Sequence, residues 1–211
     1  ETGLHLHGEL EPGWFYPEMA QGAMELALGR PVGGLRNLLW GAPVRVNSKA
    51  RELALEIVRD GDEYLYQITA DGDESSPCQI GEVILNGNGM RPDDLDVARA
   101  QRLLQGRNEY RNGGETLLHW QHRHGGESPL DAIWNWVADA HAGDPRFPYA
   151  LRSVVYLDAL PDECYVRITA PEPANVVLYG MDGRPRLAMD GLITARPHEL
   201  AAISLDEELA R

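Results

Sequence analysis

The helical pattern over residues 14–28 constrains the fold of this chain more than any other stretch. Phe15, Met19, Ala20, Ala23, Met24, Leu26, Ala27 and Leu28 spread over most of the helical circumference. Such a spread predicts a central, buried helix wrapped by other elements rather than laid on a surface. Pro12-Gly13 sets a sharp entry, Pro17 fits only a first turn where its missing N–H is not needed, and Gly29 with Pro31 stops the helix. A strand holding His5 and His7 therefore runs into the N-terminus of a buried helix.

Beyond that helix, period-two alternation predicts strands. Leu38-Leu39-Trp40 leads through Pro43 into a strand at 44–46, and the β-prone runs 53–58 and 64–69 flank Asp60-Gly61-Asp62, a hairpin signal. A strand over 79–85 completes a first unit, residues 1–86. Asn86-Gly87-Asn88-Gly89 then breaks the pattern, and residues 92–104, with Asp93-Asp94-Leu95-Asp96 near their start, read as a charged helix in a solvated linker covering 87–116. The second unit, 117–211, repeats the order. A strand at 117–124 precedes a helix that starts at Ser128-Pro129, with serine as N-cap and proline at the first helical position. Strands follow at 147–157, 163–169, 175–179 and 187–194, with Met181-Asp182-Gly183-Arg184 as a turn.

Composition narrows the partners. The chain has 211 residues and 43% hydrophobic content, enough for a sizeable core in one or two tightly associated domains. Its 19 basic against 33 acidic residues leave a net charge of −14, which repels nucleic acid and anionic membrane surfaces alike. Neither is expected as a partner. Cys78 and Cys164 have no metal-ligand spacing and fit two free thiols in a reducing cytosol. No apolar run approaches the roughly 18 residues of a membrane span, and no signal peptide is visible. A cytoplasmic location is the expectation.

His5-x-x-Gly8, followed by Pro12-Gly13-x-x-Tyr16-x-Glu18-Met19-Ala20, resembles the first half of polyketide synthase dehydratase domains. It is also similar to the H-x-x-G…P-G…E pattern of single-hotdog fatty-acid dehydratases. The runs over 147–157 and 179–197 resemble the second half of the polyketide family. That family includes pyran-synthase and double-bond-shifting variants. The resemblance implies an α+β double hotdog, two curved antiparallel sheets each wrapped around a central helix.

It also implies a site. His5, which keeps the fatty-acid spacing to Gly8, matches the catalytic base, with His7 as the alternative, and Asp131 matches the family's catalytic acid. Asn135 stands where the family has Gln or His, and spacing of four puts it on the same helix face as Asp131. Read locally, Ser128 and Asp131 also form a capping box that needs no catalysis. Eliminating water from a β-hydroxyacyl thioester calls for a base at the α-proton and an acid at the departing hydroxyl, on one side of the substrate. A histidine near neutrality suits the base. The acid needs a carboxyl pKa raised by a dry, apolar wall, to which Ile133, Trp134 and Trp136 would contribute. Backbone N–H groups near Gly13 and Trp14, at the helix start, suit the enolate-like oxygen.

No metal is required, and the only carrier group implied is the phosphopantetheine arm of an acyl carrier protein. The partners implied are that carrier protein, neighbouring polyketide synthase domains and the acyl thioester itself; the resemblance is compatible with a homodimer. Arg99, Arg102, Arg107 and Arg111 are candidates for docking the acidic carrier, or are solvated surface residues. His119, His122 and His124 lie in a polar strand or loop, and Glu18 complements the helix dipole. Beside dehydration stand two further classes: a dehydratase-derived isomerase or cyclase, and a catalytically silent scaffold or acyl-chain binder. A hotdog thioesterase is disfavoured by the tandem arrangement.

Overall fold

The computed structural model describes residues 4–6, 15–41, 51–73, 76–85, 91–121, 129–130, 133, 146–169 and 173–196. Among the described residues the elements follow in the order β1 (Leu4–Leu6), α1 (Phe15–Leu28), β2 (Gly34–Trp40), β3 (Arg51–Asp60), β4 (Glu63–Ala70), β5 (Gln79–Ile84), α2 (Val97–Leu104), β6 (Glu109–Asn112), β7 (Glu115–Gln121), β8 (Phe147–Tyr156), β9 (Glu163–Thr169), β10 (Ala174–Gly180) and β11 (Pro185–Ala195). All strands belong to one antiparallel sheet, ordered β1-β3-β4-β5-β2-β8-β11-β10-β9-β7-β6. The two sheets expected from the resemblance are therefore one sheet here. Each half supplies its own strands, but β2 and β8 pair directly, with Gly34 opposite Val155 and Leu35 opposite Val154. A Cβ on Gly34 would press into the Val154 carbonyl oxygen, so the seam needs a glycine where two backbones approach this closely.

Turn chemistry sets the local register. Gly61, with φ 60°, turns the β3–β4 hairpin between the paired Asp60 and Glu63. Gly113 and Gly114, at φ 55° and 95°, turn the β6–β7 hairpin, where positive φ at both central residues suits the right-handed strand twist. β2 carries a bulge at Asn37, φ 52°, between the Arg36–Glu82 and Leu39–Ile80 pairs. The sheet ends on short strands at both rims: β1 has three residues and β6 has four.

α1 ends as its sequence dictates: Gly29, at φ 63°, donates its N–H to the Glu25 carbonyl, 2.9 Å away. The helix buries Tyr16, Ala20 and Met24, spaced by four, with Pro17 beside them, against the face of the sheet formed by β2, β3 and β4. The expectation of a helix wrapped on most sides is thus corrected. Leu26 is 76% exposed, because the sheet covers one side of the helix; Met19 and Leu28, partly buried, pack at the edge of that side. The core on this inner face runs without a break from Leu53 and Ile68 through Leu35, Leu38 and Val154 to Leu187, Val176 and Cys164. Each fully buried leucine there contributes about 1.5–3 kcal/mol relative to exposure.

α2 lies on the opposite, outer face. Asp96 caps it by accepting the Arg99 N–H at 2.9 Å, and Gln105 closes it in the left-handed region at φ 48°. Ala100 and Leu104 are buried against Leu117 of β7, Tyr165 of β9 and Tyr179 of β10. The solvated connector expected over this stretch is therefore, in part, a lid on the outer face of the second half. The β10–β11 turn holds its entry: the Leu95 N–H donates to the Gly183 carbonyl at 2.8 Å, and a Cβ on Gly183 would sit 2.6 Å from the Leu95 oxygen.

Candidate functional site

Of the residues singled out in the sequence, His5 lies in β1, opposite Glu52 of β3, with Leu4 opposite Leu53. Gly13, Trp14, His7, Asp131, Trp134 and Asn135 lie outside the described residues. Around Asp131, however, Pro129, Leu130 and Ile133 are helical. Leu130 and Ile133 are fully buried in the same core as Tyr16, Ala20 and Met24 of α1 and as Leu53, the β3 neighbour of β1. The helical residues of the second half and α1 of the first thus share one apolar core on the inner face of the sheet.

That core also contains polar groups that sequence reading missed. On the inner face, Tyr66 of β4 stands opposite Gly81 of β5, and its ring edge occupies the space where a Gly81 Cβ would lie at 2.8–2.9 Å. The Tyr66 hydroxyl donates to Gln79 Oε1 at 3.0 Å. Gln79 is fully buried, and among the described residues its Nε2 has no hydrogen-bond partner. Burial, with Tyr156 nearby, raises the Tyr66 phenol well above its ordinary value. Burial also raises Tyr156, and the Glu18 and Glu25 carboxylates of α1 add to that shift. Glu25 in turn accepts the Val32 N–H at 3.1 Å, tying α1 to the start of β2. The available signal was parity: in QIGEVI the residues at 79, 81 and 83 are the buried set, so Gln79 occupies a core position.

A groove of about 840 Å³ lies on the outer face, away from α1. Its floor is a row of residues in register across four strands, Ile80, Leu39, Ala150 and Ile193, bordered by Val58 and Leu65. Ion pairs stand at its sides: Arg36 with Glu82 at 2.6 Å, and Arg152 with Asp190 at 2.8 Å. The sheet separates this groove from the helix-lined core, so the chemistry expected of His5 and Asp131 is not assigned to it. His119 is held by Glu163, Nε2 to Oε1 at 2.8 Å, with its ring against Tyr165 on the outer face, a structural role. Arg99, Arg102 and Arg107 are exposed, and Arg111 pairs with Glu109. Both cysteines are buried, and neither forms a disulfide. Burial, aided by Glu163, pushes the Cys164 thiol up to about 12. Among the described residues no group of three or more His, Cys, Asp or Glu is placed to hold a metal, and no helix is long and apolar enough to cross a membrane.

No protein-family model matches the chain, and no curated protein matches it either. Solved structures do. The pyran synthase domain from module nine of the sorangicin pathway is 17% identical and superposes with a TM-score of 0.71 over 92% of each chain. The dehydratase domain from the CurJ module of the curacin polyketide synthase is 10% identical, with a TM-score of 0.70 over 93% of this chain and 87% of that one. The dehydratase domain of MlnD from Bacillus amyloliquefaciens is 17% identical, with a TM-score of 0.67 over 87% and 85%. At these identities the likeness is one of fold: the chain has the hotdog-type fold of polyketide synthase dehydratase domains, a pyran synthase among them.

Proposed function

We propose that this chain is a dehydratase-type double hotdog that removes water from a β-hydroxyacyl thioester carried on an acyl carrier protein. The observation that carries this reading is the core shared by α1 and the helical residues around Asp131, within a fold that matches dehydratase-type domains over nearly the whole chain. In the proposed reaction His5 takes the α-proton and Asp131 protonates the departing hydroxyl. Backbone N–H groups at Gly13 and Trp14 stabilise the enolate-like oxygen, and Trp134 and Asn135 line the channel. Metal and cofactor have no part beyond the phosphopantetheine arm that delivers the substrate. The units 1–86 and 117–211, joined by 87–116, are the two hotdogs of this reading. The carrier docks on the arginine face of α2 and β6; neighbouring synthase domains, a cytoplasmic location and a homodimer complete the proposal.

A second reading is a dehydratase-derived variant that shifts the double bond or closes a pyran ring. It is favoured by the superposition on the pyran synthase domain and by Asn135 standing in the acid motif. Incubation with a 3-hydroxyacyl carrier substrate, and separately with the enoyl substrate bearing a distal hydroxyl, followed by mass analysis and chromatography, separates the readings. Loss of one water from the first supports dehydration, a chromatographically distinct isomer of unchanged mass from the second supports the variant, and no change in either leaves a silent scaffold. His5→Ala and His7→Ala, made separately, identify the base; full activity in both removes this site.

A further inference from the structure

We infer that Gln79 is the seat for one acceptor oxygen on the acyl ligand, its Nε2–H donating to a keto, hydroxyl or ether oxygen that the ligand carries beyond the reacting carbons. The inference rests on the acyl-thioester reading above and names the feature of the substrate that this chain recognises.

Gln79 lies on the inner face of β5, in register with Ile68 on one side and Trp40 on the other. Its side chain is 0% exposed. The Tyr66 hydroxyl donates to Oε1 at 3.0 Å, which fixes the amide plane, and among the described residues the buried Nε2 meets no acceptor. Gly81 makes this geometry feasible, because any side chain there would displace the Tyr66 ring. A buried donor without an acceptor is costly, and a methionine or leucine would fill the same volume without that cost. The amide is accounted for if its acceptor arrives with the ligand. The surroundings suit an acyl chain: Ile68, Trp40, Leu53, Leu130 and Ile133 are buried hydrophobic members of the same core. One donor among apolar walls reads one oxygen on a chain, and leaves that donor unpaired when the oxygen is missing.

The test uses the full chain and two pantetheine thioesters of the same 3-hydroxyacyl length, one bearing a keto oxygen further along the tail. Wild type favours the keto thioester in kcat/KM. Gln79→Met lowers that preference by about tenfold or more, as expected for a lost buried hydrogen bond. Tyr66→Phe with Gln79→Met removes both partners, so it folds without an orphan group and shows the same loss of preference. An equal preference in wild type and both variants overturns the inference. So does a crystal structure of the liganded protein with only a trapped water on Nε2. If wild type dehydrates neither thioester, the dehydration reading fails by itself. Calorimetric titration of the same two thioesters then decides the seat, with equal affinities for both ligands in wild type counting against it.

Discussion

Among the described residues the outer face of the sheet is open from β3 across the seam to β11 and covered by α2 over β10, β9 and β7. Beneath α2, Leu117, Tyr165 and Tyr179 are buried, and the large side chains there are satisfied by packing and by the Gln101–Tyr165 contact. On the first half no helix among the described residues lies over Val58 and Leu65, and Val58 is 50% exposed. The sequence of each region answers to its cover. The bare face alternates its apolar residues with paired charges such as Arg36 and Glu82, whereas the covered face concentrates aromatics. A strand's outward positions therefore say whether something lies on them, even when they do not say what.

Four experiments break or sharpen that contrast. The largest effect is expected at the seam that joins the two halves. Gly34→Val drives a side chain into the Val154 carbonyl and should cost about 3 kcal/mol or more in urea denaturation, with the single transition splitting as the halves uncouple. Next comes the cover itself: Leu104→Ala should lower stability by about 2–3 kcal/mol, as for other large-to-small changes in a packed site. The third effect concerns the inner core. Because the Cys164 thiol is raised from 9.0 to about 12 in the folded protein, the unfolded chain releases this proton first as pH rises. Stability from this thiol is complete below the lower value and is lost across that window. A Cys164→Ala variant should lose less stability than wild type over the same alkaline range, and a thiol reagent should react with Cys164 only after unfolding. The smallest effect is expected on the bare face: Leu65→Thr should change stability by no more than about 0.5 kcal/mol. A large loss there would mean that the face is covered after all.

Local features were legible in the sequence. Asp60-Gly61-Asp62 announced its hairpin, because only a turn residue tolerates positive φ between two β-prone runs, and α1 began and ended close to where Pro17 and Gly29 put it. The strands of the second half fell where period-two alternation set them. Long-range relations were not legible. Alternation tells which side of a strand is buried but not which strand lies beside it, so the β2–β8 pairing that merges two sheets into one was invisible. A wide spread of apolar residues suggested an enclosed α1, yet one side, around Tyr16, Ala20 and Met24 with Met19 and Leu28 at its edge, anchors the helix and leaves Leu26 open. α2 was read as solvated because its charges dominate its composition; Ala100 and Leu104, with Leu95 and Val97 partly buried beside them, anchor it. For the site, the resemblance supplied His5 and Asp131; the backbone of His5 lies on β1, and Asp131 lies outside the described residues. Gln79 and Tyr66 escaped notice because a polar residue in an otherwise apolar strand gives no hint of its partner.

The three-residue β1 is bound to the sheet through β3 alone, and among the described residues its far side meets no strand. The backbone at His5 is thus braced by one neighbouring strand. Any chain laid along the other margin would clamp it from both sides, so whatever abuts this rim also governs how firmly that backbone is held.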